Sequence, residues 1–440
     1  MYLFKKSNLN KNNLFSFLVA AFPLSFIAGN MIININLLLI IILSLIFYYR
    51  DLFKIKFYLL DKIIFSYFFL ILFTALINDF YFFSEKMAWK GYFSTVIKSF
   101  FFLKYLLLYI VLRYIIEKNI VNLKLFFIFS SISVLFVSFD IFFQFYFGKD
   151  IFGFETLANS RKLSGPFGDE LIAGGFIQRF SLFGFFVLPL FYPKSSKLIS
   201  KYVLPGLFVI FFIGIILSGN RMPMILFLFT ILLIVIFNHQ TRKFFFPFIV
   251  IFSLLFTLFY NSNPSVKNNF KSFYYTIFNM SEIILNKDFK NKNAPQYLKE
   301  FETFYDTWLM NKYIGGGIKN FRYYCHERPN VDKNAKFICN MHPHNYYLEI
   351  LTETGILGMF IVLSIFIIIF YLSFVKKYFL NSPLNNNHII IPFIFLFIAE
   401  VFPIKSTGSF FTTGNTSYLF LIIGILIGLI RKKNIIENKI

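Results

Sequence analysis

Apolar residues occupy most of this chain in long blocks, broken by short polar segments. A hydrocarbon core about 30 Å thick takes roughly 20 apolar residues at 1.5 Å each. Twelve stretches are candidates by that measure, near residues 14–29, 31–48, 58–78, 98–116, 121–147, 170–192, 199–217, 222–238, 244–260, 346–374, 388–403 and 415–430. Very short turns at Gly29 and Gly219 separate two of the neighbouring pairs. The first stretch follows Lys5, Lys6 and Lys11, and no clean small-x-small site closes it. It reads as a retained helix rather than a cleaved leader. The expected fold is an all-α membrane protein of about 12 transmembrane helices. One large extracytoplasmic loop subdomain, with short helices of its own, is expected between them. Residues 1–260 would hold helices one to nine, 261–345 the loop, and 346–440 the last three helices. No internal repeat is visible.

The connecting segments alternate in character. One set is short and basic: the N-terminal tail, Arg50/Lys54/Lys56, Arg113/Lys118/Lys124, Lys194/Lys197/Lys201, Arg242/Lys243, Lys376/Lys377 and Arg431/Lys432/Lys433. The other set is poorer in Lys and Arg, or longer. Excess Lys and Arg stays on the cytoplasmic side of a membrane. Both termini are therefore expected in the cytoplasm, in a multi-pass membrane protein. The turn at Gly29, the loops 79–97 and 148–169, the turn Ser218–Arg221, the loop 261–345 and the loop 404–414 fall on the other face.

Composition supports this picture. Of 440 residues, 58% are hydrophobic and only 15% charged, where soluble domains carry about a quarter charged. The formal net charge of +22 would suggest a nucleic-acid partner in a soluble chain. Here the basic loops account for it, and membrane lipids are the expected partner instead of nucleic acid. Cys325 and Cys339 both fall in the outward loop, where an oxidising compartment favours a disulfide. Closing a loop of that size stabilises by about 3 kcal/mol. A metal site built from these cysteines with His326, His342 and His344 is the competing reading, but the spacing matches no common zinc pattern.

The most informative segment is His342-Pro343-His344-Asn345-Tyr346-Tyr347-Leu348-Glu349-Ile350-Leu351-Thr352-Glu353-Thr354-Gly355, continuing to Gly358. His344 would sit at the membrane surface, at the start of the tenth helix. Asn345 suits the N-cap of that helix. Gly355 and Gly358 would let a neighbouring helix approach closely. Glu349 and Glu353 share a helix face, and Glu353 is deep enough to need a partner. On its own, His344 reads as an interfacial histidine with an apolar body and a wet tip. The pattern His-Asn-x9-Gly-x-x-Gly, however, resembles the signature of the O-antigen ligase and polymerase superfamily.

Three more segments are similar to that family over roughly residues 160–360. Ser218-Gly219-Asn220-Arg221 resembles an outer turn carrying an arginine. Gly315-Gly316-Gly317-Ile318-Lys319-Asn320-Phe321-Arg322 resembles the Gly-rich turn before the histidine. Arg161-Lys162-Leu163-Ser164-Gly165-Pro166-Phe167-Gly168-Asp169-Glu170 resembles the loop before the sixth helix. The family's arginine ahead of a Trp in the large loop has no counterpart in Lys299–Trp308; Lys299 and Arg322 are the candidate substitutes.

The resemblance implies a membrane glycosyltransferase that takes a glycan from undecaprenyl diphosphate, without a cofactor, metal or nucleotide sugar. A ligase would pass the glycan to a sugar hydroxyl of the lipid A core; a polymerase would pass it to a carrier-linked acceptor. His344 would be the general base or acceptor-orienting residue, and Arg221 the cation that stabilises the departing diphosphate. Arg161, Lys162, Arg179, Gly315, Gly317, Lys319, Arg322, His342, Asn345 and Glu353 are further candidates for substrate binding. A transporter is the alternative from another class. It is disfavoured by the missing repeat and by polar residues, such as Asp140, Gln144 and Arg179, placed toward the outer helix ends.

Overall fold

The computed structural model describes residues 3–81, 94–156, 162–191, 196–238, 245–286, 295–328, 339, 342–380, 382–406 and 408–437. These form helices, with one isolated β-bridge between Lys149 and Glu155. The first helices are α1 (Leu3–Ala20), α2 (Phe22–Ala28), α3 (Asn30–Leu52), α4 (Leu59–Tyr81), α5 (Ser94–Glu117) and α6 (Leu123–Phe147). Then follow α7 (Ala173–Phe191), α8 (Ser196–Leu217), α9 (Arg221–Phe237), α10 (Phe245–Ser262) and α11 (Pro264–Asn286). The segment before the last helices supplies α12 (Gln296–Leu309) and α13 (Phe321–Tyr324). The last part holds α14 (Tyr346–Phe370), which runs through a π-helical turn into α15 (Lys376–Tyr378), and then α16 (Ile391–Glu400) and α17 (Thr413–Glu437).

Each of the twelve apolar stretches lies on a helix, but not all are long enough to cross a membrane alone. Among the described residues, seven helices have the length and composition to do so. Two bent pairs, α1 with α2 and α10 with α11, raise the number to nine if each pair is one crossing. Tyr202–Leu217, α9 and α16 are shorter apolar helices. The ten residues of α16 reach about 15 Å, and the helix stops where Glu400 begins a cluster of charges.

The central post is α17. Its apolar window is 83% buried, against 56% or less for the other six long helices. Gly424 and Gly428 explain its fit against α5. A Cβ at Gly424 would lie 2.9 Å from Leu112 Cβ, and one at Gly428 2.7 Å from Ile116 Cβ. Small residues four apart let two helix backbones close up, which is how helices associate when lipid removes the hydrophobic drive between them.

One end of this bundle is pinned by a buried carboxylate. Asp61 of α4 meets Arg113 of α5 at 2.8 Å and Arg431 of α17 at 2.9 Å. It also accepts from Tyr109 Oη at 2.5 Å and from the backbone N–H of Tyr58 at 2.7 Å. These are helix ends that the charge pattern assigns to one face. The opposite end holds the histidine segment.

Candidate active site

The site grows from the first turn of α14. Asn345 is its N-cap: the Asn345 Oδ1 accepts from the backbone N–H groups of Tyr347 (3.0 Å) and Leu348 (3.2 Å). This satisfies donors that a helix start leaves open. The Asn345 Nδ2 donates to the carbonyls of Pro403 at 2.9 Å and Lys405 at 3.5 Å. The side chain thus joins the helix start to the loop between α16 and α17. His344, just outside the cap, has φ +54°, a left-handed conformation uncommon for a residue with a side chain. Its ring centroid lies 4.5 Å from that of His342.

Burial holds both imidazoles toward their neutral forms. It lowers His342 to about 4, with the neighbouring His344 adding to the effect. Burial also lowers His344; Glu300 opposes the shift and Lys162 reinforces it. Lys162 therefore shares an electrostatic environment with His344.

A buried charge cluster lies directly beneath. Tyr346 Oη donates to Glu400 Oε1 at 2.6 Å. Arg179 of α7 grips the same carboxylate through both oxygens, at 2.7 and 3.2 Å, and donates to Asn415 Oδ1 at 2.6 Å. Lys405 Nζ reaches Glu400 Oε1 at 2.6 Å and Tyr346 Oη at 3.2 Å. Burial brings the Lys405 ammonium down to about 8 against the pull of Glu400. At neutral pH two cations therefore face one carboxylate in this cluster. Bidentate arginine–carboxylate pairing of this kind fixes geometry as well as charge.

The two glutamates of α14 are held by the backbone of other segments. Glu349 accepts from Ser409 Oγ and from the backbone N–H of Phe410, both at 2.5 Å. Glu353 accepts from the backbone N–H of Lys319 at 2.7 Å, so the deep carboxylate has a partner in the Gly-rich turn. Lys319 itself has φ +55°.

That turn docks into a break in α14. Gly355, at φ +68° and ψ −172°, interrupts the helix. Below the break, the N–H groups of Ile356 and Leu357 donate to the carbonyls of Lys312 (2.9 Å) and Tyr313 (3.2 Å). Above it, the carbonyls of Thr352 and Glu353 accept from Gly316 (3.0 Å) and Gly317 (2.8 Å). The sequence pattern suggested a neighbouring helix at Gly355. The structure places the turn there instead: a Cβ at Gly355 would lie 2.2 Å from the Tyr313 carbonyl oxygen. Gly358 faces Thr354 of its own helix and Leu70 of α4. In the turn, a Cβ at Gly315 would strike the Glu353 backbone at 2.4 Å, and one at Gly317 Thr95 Cγ2 at 2.5 Å. Both glycines have positive φ. Their close approach is to α14 and α5.

Arg221 opens α9. Its Nε donates to Asn269 Oδ1 at 2.5 Å, its Nη2 donates to Ser272 Oγ, and its guanidinium lies 5.4 Å from the centroid of the Phe273 ring. These three contacts all lie on α11. The guanidinium of Arg322 sits 5.2 Å from the centroid of the Tyr323 ring. Cys325 and Cys339 are joined by a disulfide with Cα atoms 5.7 Å apart, and Arg328 Nη1 donates to both sulfurs at 2.9 and 3.1 Å. Phe304 and Phe321 stack beside Cys325 in a small core of their own. Arg161 lies outside the described residues.

A family model described as O-antigen ligase matches residues 206–363. That part of the chain is similar to the O-antigen ligase family. A search of curated proteins finds no match. The O-antigen ligase match takes in Arg221, the Gly-rich turn and the whole histidine segment, and ends within α14. It implies a membrane enzyme that transfers glycans. Arg179, Glu400 and Lys405 lie outside the matched residues yet contact Tyr346 or its partner within them.

Sequence reasoning missed Glu300, Glu400 and Lys405. Glu400 carries one late signal, a carboxylate at the end of an apolar run, which calls for a buried cation. Glu300 sits in a charged segment of α12 and carries no such mark.

Proposed function

We propose that this protein transfers a glycan from undecaprenyl diphosphate to a sugar hydroxyl of the lipid A core. The reaction would take place at the periplasmic face of a bacterial inner membrane, in a chain of twelve crossings with cytoplasmic termini. The carrying observation is His344. It is half-buried, biased to its neutral form and placed directly before the Asn345 cap, within the segment that matches the O-antigen ligase family.

In this reading the acceptor hydroxyl gives its proton to a ring nitrogen of His344 as its oxygen bonds to the anomeric carbon. The bond from that carbon to the diphosphate oxygen breaks, and the electron pair leaves with the diphosphate. A neutral imidazole is the required form at the start. Arg221 meets the departing charge. Asn269 and Ser272 hold its guanidinium, and a positioned cation costs little reorganisation as charge develops. Lys162, Arg179, Lys319 and Arg322 are the further cations offered to the diphosphate and glycan, with Arg161 beside Lys162 in sequence.

The test is transfer with purified protein, a polyprenyl-diphosphate glycan, and either lipid A core or carrier-linked glycan as acceptor. Product on lipid A core that is lost in His344→Ala, with normal expression and folding, is the expected result. Wild-type transfer by His344→Ala would overturn the role. Product on the carrier alone would make the enzyme a polymerase.

A further inference from the structure

The apolar span α10 ends in a sharp corner. Across Asn263 the chain turns by 106° into α11. The eighteen residues of α10 rise about 27 Å, close to the hydrocarbon thickness. A helix leaving a span at that angle runs near the plane of the membrane surface.

The surface of α11 divides into three sectors at helical spacing. Val266, Asn269 and Ile283 are buried, with Phe270 and Phe273 beside them, and form the face packed on the protein. Asn268, Asn279 and Asn286 form an exposed polar face. Between these faces lie Tyr274 (66% exposed), Phe278 (54%) and Leu285 (81%), with Lys267 and Lys271 exposed on the same side. Large apolar side chains this exposed on a helix signal a partner. On the other side of the corner, α10 also exposes large apolar residues, Leu254 and Leu258. Lysines that flank aromatic and aliphatic residues on an in-plane helix fit an interface of acyl chains and anionic phosphates.

We infer that α11 is a membrane-surface helix whose Tyr274–Phe278–Leu285 strip seats in the outer lipid leaflet, with Lys267 and Lys271 on the phosphates. This adds a function to the helix. Through Asn269, Ser272 and Phe273 it grips Arg221, so lipid seating sets the depth of that guanidinium at the headgroup layer. In the glycan-transfer reading, that is the depth of the carrier's diphosphate.

Depth can be read on the full-length protein in nanodiscs of phosphatidylethanolamine and phosphatidylglycerol. Phe278→Cys, Tyr274→Cys and Asn279→Cys, made singly, carry a nitroxide label; Cys325 and Cys339 are disulfide-bonded and do not react. Collision rates are measured with oxygen, which concentrates in lipid, and with a water-soluble nickel chelate. A higher oxygen-to-nickel ratio at 278 and 274 than at 279 is expected. Equal ratios at all three would overturn the inference. So would weak collisions with both reagents at 278 and 274, which would mean that protein covers the strip. No glycan is involved, so failure here is distinguishable from failure of the transfer assay.

Discussion

A histidine that serves as a base must be neutral before it acts, and the surroundings of His344 are arranged for that. Burial lowers its pKa from the usual 6.5, Lys162 adds to the drop, and Glu300 works against it. The neutral form therefore persists as pH falls below 6.5. The acidic limb of a transfer pH profile should lie below the free-histidine value. Lys162→Met removes a cation and should move that limb up. Glu300→Gln removes an anion and should move it down. Profiles of transfer rate against pH for the three proteins check both signs, and an unchanged limb in both variants would remove His344 from the rate law. Glu300 lies on α12, in the stretch where the family's loop arginine has no counterpart. Its contribution here is to the charge on His344.

At the scale of elements, the break in α14 is the most demanding feature. Gly355 lies ten residues below the Asn345 cap, or about 15 Å. Backbone groups released at that depth have no water to turn to, and irregular structure survives there only when other protein covers it. The turn Asn311–Gly317 supplies the cover. Gly355→Ala should therefore be costly. The backbone at Gly355, φ +68° and ψ −172°, is essentially reserved for glycine and costs about 1–3 kcal/mol for a residue with a side chain, and the Tyr313 carbonyl would also have to move. Gly206→Ala in α8 is the control, because a Cβ there meets nothing within 4 Å. It should be neutral or stabilising, by roughly 0.5–1 kcal/mol. Thermal unfolding in detergent compares the pair. The Asn345 cap was legible in the sequence because a cap is local. The break was not, since a Gly spaced three residues from another Gly on an apolar helix reads equally well as a packing face. Only the positions of Lys312 and Tyr313 distinguish the two.

For the whole molecule, the apolar runs gave the helices their places, because hydrocarbon leaves the backbone few alternatives. Pairing between distant helices was not legible. Arg179 and Glu400 are 221 residues apart, and Asp61 and Arg431 are 370 apart; nothing in either local sequence names the other. These pairs close the two ends of the bundle around α17. Asp61→Asn should leave Arg431 buried without a carboxylate and Arg113 with only Glu117, 3.6 Å away, at a cost of roughly 3–5 kcal/mol. The expected outcome is a lower unfolding temperature with His344 chemistry intact in the fraction that folds. An unchanged unfolding temperature would mean that the arginines find other acceptors.

The docking of the Gly-rich turn into α14 also bears on how the protein is made. Synthesis delivers the turn before the helix whose gap it fills. A newly inserted α14 carries open carbonyl and amide groups in the bilayer until Lys312, Tyr313, Gly316 and Gly317 reach them. Settling of this helix is therefore coupled to folding of the segment that precedes it. A substitution that keeps the turn from forming would leave the break in α14 without its partners.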